Sequence, residues 1–417
     1  MTTETCTIDD CGPYPVRQPT SIEELGEMIR EADQQGQAVF PLGGRTMLDF
    51  GAPPSREGIA IETTKLNQIL DFPARDMTVT VQSGITLSTL QQSLEAENLR
   101  LPIDIPLPDQ ATLGGAIATN TSGPRRYGFG TLRDYVIGIS VVNDEGIETK
   151  AGGRVVKNVA GYDLCKLHTG AMGTLGIISQ VTLKLRPLVE QSTLMVLGCE
   201  SSKLESLLDV LHRSRARPVC LDLLNRRACE SLALEGDSPL PESEWNLIVG
   251  LEESATAVQW QMKHLIEELA QVGHRGIDTR VGVTTSSLWN ALRDFRLTPT
   301  ASFSFKMNVL PSAVASLCGR IQERAEEVMI QSHAGNGMIE GHMREVNLEQ
   351  AKTLHAFLSS EASEAQGNVV ILRCPAEWKK ELSVWGNPRA DAFLMQSVKE
   401  KLDPKQIFNP GRLLSTS

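Results

Sequence analysis

The sequence lacks any long apolar run. No stretch approaches the roughly 18 consecutive apolar residues that span a bilayer, and Met1–Glu4 has neither the basic nor the apolar region that opens a signal peptide. Lysine and arginine (40) are fewer than aspartate and glutamate (51), and the formal net charge of −11 leaves little to neutralise nucleic-acid phosphates. We therefore expect a cytoplasmic protein that does not bind nucleic acid.

Cysteine occurs eight times but never as a C-x-x-C pair, which argues against a zinc site or an iron–sulfur cluster within the chain. The cysteines are expected to be mostly reduced, buried thiols. Cys6 and Cys11, the nearest pair, fall in a polar segment, and residues 1–16 are predicted to form a flexible N-terminal tail.

A chain of 417 residues exceeds the usual limit of a single core and is expected to form two domains. The first part is α+β and rich in glycine; after Arg186-Pro187 glycine thins and strands alternate regularly with helices. We predict a first domain over 17–189 and an α+β, ferredoxin-like cap over 190–395, with an antiparallel sheet covered by helices on one face. Residues 396–417, which include a rigid Asn-Pro-Gly, are predicted to return to the first domain.

Three glycine-rich segments allow the main chain to approach a diphosphate closely, because paired glycines permit positive φ and turn successive N–H groups toward one point. The first follows a short strand and contains Pro41, Leu42, Gly43, Gly44, Arg45 and Thr46. The second leads into a helix and contains Pro108, Thr112, Leu113, Gly114, Gly115, Thr119, Asn120 and Gly123. The third leads into a strand and contains Gly173, Thr174, Gly176, Ile177 and Ile178.

Each segment also has a plain structural interpretation, as a tight strand exit or a close helix contact. A Rossmann interpretation fails, because no G-x-G-x-x-G follows an early strand with an acidic residue about 20 positions on. No G-x-x-x-x-G-K-[ST] phosphate loop is present either.

In order and spacing these segments resemble the FAD-binding domain of the vanillyl-alcohol oxidase family, also called the PCMH-type fold. The run Thr121–Arg126, the run Lys157–Leu164 and the run Phe408–Leu413 look most like the FAD-binding (E) subunits of bacterial glycolate oxidases. The resemblance implies a two-subdomain FAD domain in which the three segments bind the cofactor. Relatives that attach flavin covalently use a His or a Cys in the first two loops, and neither is present here, so FAD is expected to be non-covalent.

The resemblance further implies oxidation of a small 2-hydroxy acid, glycolate, to glyoxylate. The expected partners are a homologous catalytic FAD subunit and an iron–sulfur subunit. The chain is expected to contact a membrane only through these partners. Two alternatives stay open: a self-sufficient FAD-dependent dehydrogenase for D-lactate or a related acid, and a scaffold subunit with a vestigial FAD pocket.

The predicted cap departs from the catalytic pattern of the related dehydrogenases. Where they carry a His-x-Gly-Asp-Gly-Asn-x-His metal motif, this chain has His333 and Glu340 around Asn336-Gly337, which argues against a metal and favours a hairpin turn. His342 is a weaker substitute ligand. Catalytic residues are not assigned; His168, as a base, and Asn409, beside the flavin, are the candidates.

The adjacent arginines Arg125 and Arg126 can serve equally as anion ligands or as solvated side chains.

Overall fold

The computed structural model describes residues 4–153, 161–235, 240–272, 276–298, 301–387 and 390–413. The chain divides into two compact units. Unit 1 comprises Met1–Thr121, Thr131–Leu188 and Pro388–Ser417, and unit 2 comprises Ser122–Gly130 and Val189–Asn387. No helix in these described ranges combines the length and apolarity needed to cross a membrane.

The first part of the chain holds eleven strands and six helices among its described residues. The strands are β1 (Thr5–Ile8), β2 (Cys11–Arg17), β3 (Ala38–Leu42), β4 (Gly58–Glu62), β5 (Ile69–Asp71), β6 (Thr78–Gln82), β7 (Leu99–Arg100), β8 (Val136–Val142), β9 (Glu148–Gly152), β10 (Ile177–Lys184) and β11 (Arg186–Pro187). The helices are α1 (Ile22–Gln34), α2 (Leu87–Glu95), α3 (Leu113–Thr119), α4 (Arg126–Phe129), α5 (Leu132–Tyr135) and α6 (Leu164–His168).

Unit 1 is built on two main sheets. The first has the order β1-β2-β4-β3, with β2 and β3 both parallel to β4. The second is antiparallel, in the order β5-β6-β10-β8-β9. Helix α1 is capped by Ser21, whose side chain accepts from the backbone N–H of Glu24, and it buries Leu25 and Ile29 against β4.

The prediction of a flexible tail over residues 1–16 is wrong for the described residues from Glu4 onward. Strands β1 and β2 form a hairpin in which Ile8 pairs with Cys11, and β2 continues into the first sheet. The turn residues Asp9 and Asp10 both have positive φ, 53° and 59°. Because this turn lacks the usual Asn-Gly or Asp-Gly signature, the hairpin could not be recognised from the sequence.

The second part of the chain begins with β12 and carries the remaining elements. The strands are β12 (Gln191–Cys199), β13 (Cys220–Asn225), β14 (Trp245–Glu253), β15 (Ile277–Val281), β16 (Phe303–Asn308), β17 (Met329–His333), β18 (Met338–Met343) and β19 (Asn368–Arg373). The helices are α7 (Leu204–Arg213), α8 (Arg226–Glu235), α9 (Ala255–Leu269), α10 (Val283–Asp294), α11 (Val314–Arg324), α12 (Leu348–Glu364) and α13 (Ala392–Leu402), the last of which belongs to unit 1.

Unit 2 is organised around one eight-stranded antiparallel sheet, in the order β15-β12-β14-β13-β17-β18-β16-β19. One face packs its apolar side chains against α7, α9, α11 and α12. The prediction of helices on one face only is incomplete, since α8 and α10 pack on the opposite face against residues such as Val196 and Ile248. The two sets alternate along each strand, as the period of a strand requires.

The boundary between the units falls after Leu188, beside the predicted boundary at 189, and the chain returns to unit 1 at Pro388 rather than at 396. The segment Ser122–Gly130, predicted inside the first domain, is part of unit 2. Its α4 packs on β13, and the N–H of Gly128 donates to the carbonyl of Val219 over 3.0 Å.

Candidate functional site

The first two glycine-rich bends lie directly against each other in unit 1. A Cβ atom built on Gly43 would come within 2.0 Å of the Thr112 hydroxyl oxygen, and one built on Gly44 within 1.7 Å of the Gln110 carbonyl oxygen. Only glycine fits this contact between main chains. Thr112 caps α3, since its hydroxyl accepts from the N–H of Gly115 over 3.3 Å.

The third bend joins the same place. The N–H of Met172 donates to the carbonyl of Ala118 over 2.8 Å, which ties the bend to α3. A Cβ on Gly173 would lie 3.2 Å from the ring of Pro41 and 3.3 Å from the side-chain nitrogen of Asn409. The three bends and the C-terminal segment therefore converge within unit 1, as the sequence hypothesis required.

Gly176, Ile177 and Ile178 carry the third bend into β10. Gly176 has φ 128°, and a Cβ there would collide with Val141, so a side chain is excluded on two grounds. Ile177 and Ile178 pair with β8, whereas the pairing of β10 with β6 begins only at Gln180. Among the described residues, the other edge of Ile177 and Ile178 has no strand partner, which suits a strand expected to offer main-chain groups to a flat heterocycle.

Two buried side-chain oxygens beside these bends have no hydrogen-bond partner among the described residues: Ser83 Oγ and Asn120 Oδ1. Ser83 is fully buried and lies next to Gly114, and Asn120 ends α3 with a φ of 48°. Unsatisfied buried polar atoms are costly unless a ligand completes them. Together with the glycine-lined bends, they fit a cofactor that carries both hydrogen-bonding groups and phosphates.

Several of the predicted cofactor-binding residues direct their side chains to hydrogen bonds within the protein. Arg45 has the positive φ of an anion-binding turn, 58°, but its guanidinium donates to Glu62 over 2.6 Å and to Glu4 over 2.7 Å. Its contribution to a cofactor site would therefore come from the main chain. The Thr119 and Thr174 hydroxyls donate to backbone carbonyls within their own turns, over 3.0 and 2.7 Å.

The other predicted positions fall in different places. Pro41 and Leu42 end β3, Leu113 begins α3, and Thr46 and Pro108 lie in the loops that flank the first two bends. Gly123 belongs to unit 2, whereas the other predicted cofactor-binding residues belong to unit 1. Lys157 to Ala160, part of the motif that carries the family resemblance, lie outside the described residues.

His168 ends α6 and is partly buried. Burial lowers the pKa of His168 to about 4, so the imidazole is neutral at physiological pH. No charged partner orients it among the contacts of the described residues, and it stays a candidate base by prediction only.

Unit 2 holds a second polar arrangement, of which the sequence analysis had named only His333, Glu340 and His342. We call it the polar cluster: Asp222, Arg296, Lys306, His333, Glu340 and His342. Its strand members share the sheet face that carries α8 and α10, since they alternate with Phe305 and Ile339 of the opposite face. Lys306 and Glu340 are cross-strand partners, and the Arg296 guanidinium lies 3.8 Å from Glu340 Oε1.

The charges of the polar cluster perturb one another. Burial, then the neighbouring charge of Arg296, lowers the pKa of Lys306 to about 8. Burial alone would raise the pKa of Glu340, but Arg296, followed by His333 and Lys306, holds it below the usual range. Burial lowers the pKa of His342 to about 4. Shifts of this kind, away from surface values, concentrate at functional sites.

The polar cluster also contains incomplete hydrogen bonding. Glu340 is 4% exposed and His342 is 0% exposed. Glu340 Oε1 and His342 Nε2 nevertheless have no hydrogen-bond partner among the described residues. His342 bonds through Nδ1 to the Ser304 hydroxyl at 2.7 Å. A bound polar molecule would satisfy both atoms.

His333 lies in the hairpin that the sequence favoured over a metal site. Strands β17 and β18 pair at His333 and Met338, and Gly337 turns the chain with φ 68°. The Nδ1–H of His333 donates to Asp222 over 2.8 Å. Burial disfavours the charged ring, but the Asp222 carboxylate raises the pKa of His333 above its ordinary value. The described residues contain no group of three or more His, Cys, Asp or Glu placed to hold a metal ion.

Sequence reasoning missed Asp222, Arg296 and Lys306. For two of them a signal existed, because a charged residue in the middle of an apolar strand is rare unless it is paired. Lys306 alternates with Phe305 and Met307, and Asp222 interrupts a run of leucines. Arg296 had no such signal, since it follows a helix in a mixed segment.

Comparisons with known proteins agree with this geometry. Residues 13–152 match the model of the "FAD binding domain", and residues 379–413 match that of "FAD linked oxidases, C-terminal domain". Three curated relatives align over nearly the whole chain. They are a D-2-hydroxyglutarate dehydrogenase of Xanthomonas citri pv. viticola (27% identical, 97% of this chain, 90% of the relative), a D-lactate dehydrogenase of Archaeoglobus fulgidus (27%, 96% and 91%) and the glycolate oxidase subunit GlcD of Bacillus subtilis (26%, 97% and 89%).

The fold is shared with p-cresol methylhydroxylase, with a TM-score of 0.72 and 16% identity over 95% of this chain and 88% of that one. Alkyldihydroxyacetonephosphate synthase gives a TM-score of 0.70 at 19% identity, over 95% and 77%. The chain is thus a flavoprotein with a PCMH-type FAD-binding fold. It is an FAD-dependent oxidoreductase.

Proposed function

We propose that this chain oxidises, or helps to oxidise, a small 2-hydroxy acid, and that the polar cluster of unit 2 binds the acid. The observation that carries the proposal is a pair of cations, the buried Arg296 and the half-buried Lys306, beside buried polar atoms that have no hydrogen-bond partner among the described residues. A carboxylate fits two cations, and a hydroxyl can hydrogen-bond to Glu340 Oε1 and to His342 Nε2. The names of the relatives, a 2-hydroxyglutarate dehydrogenase, a lactate dehydrogenase and a glycolate oxidase subunit, support the same class.

Oxidation of a 2-hydroxy acid removes a hydride from the α-carbon and a proton from the hydroxyl, and leaves a 2-oxo acid. Bound FAD supplies the acceptor for the two electrons. Within this chain His333 is suited to take the proton, because Asp222 engages Nδ1 and leaves Nε2 as the other ring nitrogen. Arg296 and Lys306 would hold the carboxylate in place during this step.

Glycolate is the substrate we propose first, with the chain acting as the FAD-binding subunit of an assembly. The partners would be a homologous catalytic FAD subunit and an iron–sulfur subunit. The run Thr121–Arg126 and the run Phe408–Leu413 support this choice through their resemblance to glycolate oxidase subunits. The absence of any C-x-x-C pair in the sequence also means that an iron–sulfur relay has to come from another chain.

A second candidate is a self-sufficient dehydrogenase for a larger 2-hydroxy acid. The observation in its favour is that relatives named as a D-2-hydroxyglutarate dehydrogenase and a D-lactate dehydrogenase align over nearly the whole chain.

The test is anaerobic stopped-flow reduction of the flavin in the purified chain by glycolate, D-lactate and D-2-hydroxyglutarate. Reduction by glycolate only when the two partner subunits are added supports the first proposal, and reduction of the isolated chain by a larger acid supports the second. Lys306→Met should abolish either reaction, whereas the control Lys263→Met, on the exposed face of α9, should not. A chain that co-purifies with the partner subunits but binds no FAD would leave the scaffold alternative, and a chain that binds FAD but is reduced by no acid, alone or with partners, would contradict both proposals.

A further inference from the structure

The C-terminal segment that follows α13 is built into unit 1 beside the flavin-binding bends. The N–H of Val39 donates to the carbonyl of Ile407 over 2.6 Å, and the N–H of Asn409 donates to the carbonyl of Val39 over 3.0 Å. Phe408 is fully buried in the same core as α1 and β4. The segment thus continues the edge of the first sheet next to β3, the strand that leads into the first bend.

Lys399 is the only buried residue of α13, and its ammonium group bonds to three parts of unit 1. It donates to the carbonyl of Thr174 over 2.7 Å, to the carbonyl of Phe408 over 2.9 Å and to the Asp403 carboxylate. Asp403 is itself fully buried and accepts from the N–H groups of Ile407 and Phe408. One ammonium group therefore links the third flavin bend to the C-terminal segment.

The segment makes two more ties of the same kind. The side-chain amide of Asn409 donates to the carbonyl of Met172 over 2.6 Å, two residues before Thr174. Arg412 is buried and donates to the carbonyls of Leu48 and Ala52 over 2.7 and 2.9 Å, in the chain that leaves the first bend. Carbonyls that face a buried cation have no freedom to turn toward solvent, so these ties fix the main chain on both sides of the cofactor site.

From these contacts we propose that Lys399 is a positioning residue for FAD. Through the carbonyls of Thr174 and Phe408 it holds the bend at Met172–Thr174 in the conformation that receives the cofactor. Burying an ammonium group costs free energy that the protein recovers only through complete hydrogen bonding. A leucine or methionine would fill the space at lower cost, so the cation is retained for what it binds.

The alternative is that Lys399 only neutralises Asp403 and stabilises unit 1. Two variants separate the two roles. Lys399→Met removes the donor and leaves Asp403 charged and buried, while Lys399→Met/Asp403→Asn removes both charges and keeps an acceptor for the segment's N–H groups. Lys401→Met, an exposed position two residues along α13, is the matched control.

The measurement is the FAD dissociation constant of the deflavinated full-length chain, obtained from quenching of flavin fluorescence, beside thermal unfolding of the same apoprotein. For Lys399→Met we expect FAD to bind about tenfold to a hundredfold more weakly, the loss of one to two hydrogen bonds from a charged donor. The double variant should recover the unfolding temperature but not the FAD affinity, and the control should change neither. The flavin absorption band and midpoint potential should shift in both Lys399 variants.

Recovery of full FAD affinity in the double variant would overturn the proposal, because it would reduce Lys399 to a counter-ion. Affinity within twofold of the wild type in a folded Lys399→Met protein would do the same.

If Lys399→Met does not fold, Asn409→Ala tests the same bend through its other tie to Met172. It should weaken FAD binding several-fold and leave the apoprotein folded; unchanged affinity would count against the proposal. Because every readout concerns FAD alone, the result does not depend on which acid the enzyme oxidises.

Discussion

Gly44 lies where two main chains meet, and its missing side chain decides whether the first two bends can touch. A methyl group there would sit 1.7 Å from the Gln110 carbonyl oxygen and 2.5 Å from its carbon, both of them backbone atoms. Backbone cannot rotate away as a flexible side chain can. The bend has to open or the second segment has to move.

We therefore expect Gly44→Ala to weaken FAD binding by at least about tenfold and to lower the free energy of unfolding by about 1 to 3 kcal/mol. The control is Gly319→Ala in α11, where a Cβ meets nothing within 4 Å. That variant should bind FAD normally and be more stable by about 0.5 to 1 kcal/mol, because alanine is the better helix former. Titration with FAD and urea unfolding measure both effects, and equal FAD affinity in the two variants would contradict the assignment of the first bend.

Lys306 gives the polar cluster a pH dependence. Its pKa is lowered to about 8, so the side chain is mainly cationic below that pH and loses its charge as the pH rises through it. A substrate carboxylate binds the cation and not the neutral amine. We expect kcat/KM for the 2-hydroxy acid, which reports the free enzyme, to fall above about pH 8.

The measurement is the pH profile of kcat/KM for flavin reduction. Lys306→Arg, which stays charged at every accessible pH, should lose the alkaline decline even if its rate is lower. If kcat/KM of Lys306→Arg still falls at alkaline pH as it does in the wild type, another group causes the decline.

The segment Ser122–Gly130 is anchored in unit 2 by Arg125. Its guanidinium donates to Glu252 over 2.8 Å and stacks at 3.8 Å on the Trp289 ring. The Glu252 side chain is 1% exposed and that of Arg125 is 18% exposed. The sequence left the roles of Arg125 and Arg126 open. The structure shows that Arg125 anchors the segment and is not a solvated side chain.

Removing the charge of Glu252 should destabilise unit 2. For Glu252→Gln we expect a loss of about 2 to 3 kcal/mol, less than for a wholly buried pair because Arg125 keeps some solvent. Glu205→Gln, at an exposed position of α7, should stay within about 0.5 kcal/mol of the wild type. Urea unfolding of Glu252→Gln, Arg125→Met and the Arg125→Met/Glu252→Gln double variant gives the coupling energy. A coupling near zero would mean that the segment is held by packing alone.

Sequence patterns predicted those elements whose signals are local. The hairpin turn at Asn336-Gly337 is confirmed, because its signal lies in two neighbouring residues. The strands β1 and β2 were missed since their hairpin turn uses Asp-Asp. The second layer of helices was missed although β12 carries a signal for it: its side chains are apolar on both faces, which is typical of a strand that is covered on both sides.

The sequence singled out the segments that we assign to the cofactor site but not the distances between them. Gly43, Thr112, Gly173 and Asn409 are far apart along the chain and meet only through tertiary contacts. Their convergence is a result of the fold. The polar cluster of unit 2 could not be assembled from the sequence for the same reason: its members come from five separate segments, and the pairing of Lys306 with Glu340 and of Asp222 with His333 exists only in the folded sheet.

We expect this convergent site to retain its cofactor without a covalent bond. The first two bends contain no His or Cys that could bond to the flavin, and Arg45, which lies in the first, is held by Glu62 and Glu4. Binding then depends on main-chain groups whose placement requires the folded state. Acid precipitation or heating should release all the flavin to the supernatant, and FAD in excess should raise the unfolding temperature by mass action. Flavin that stays with the washed, denatured polypeptide would show a covalent bond and would require a different account of both bends.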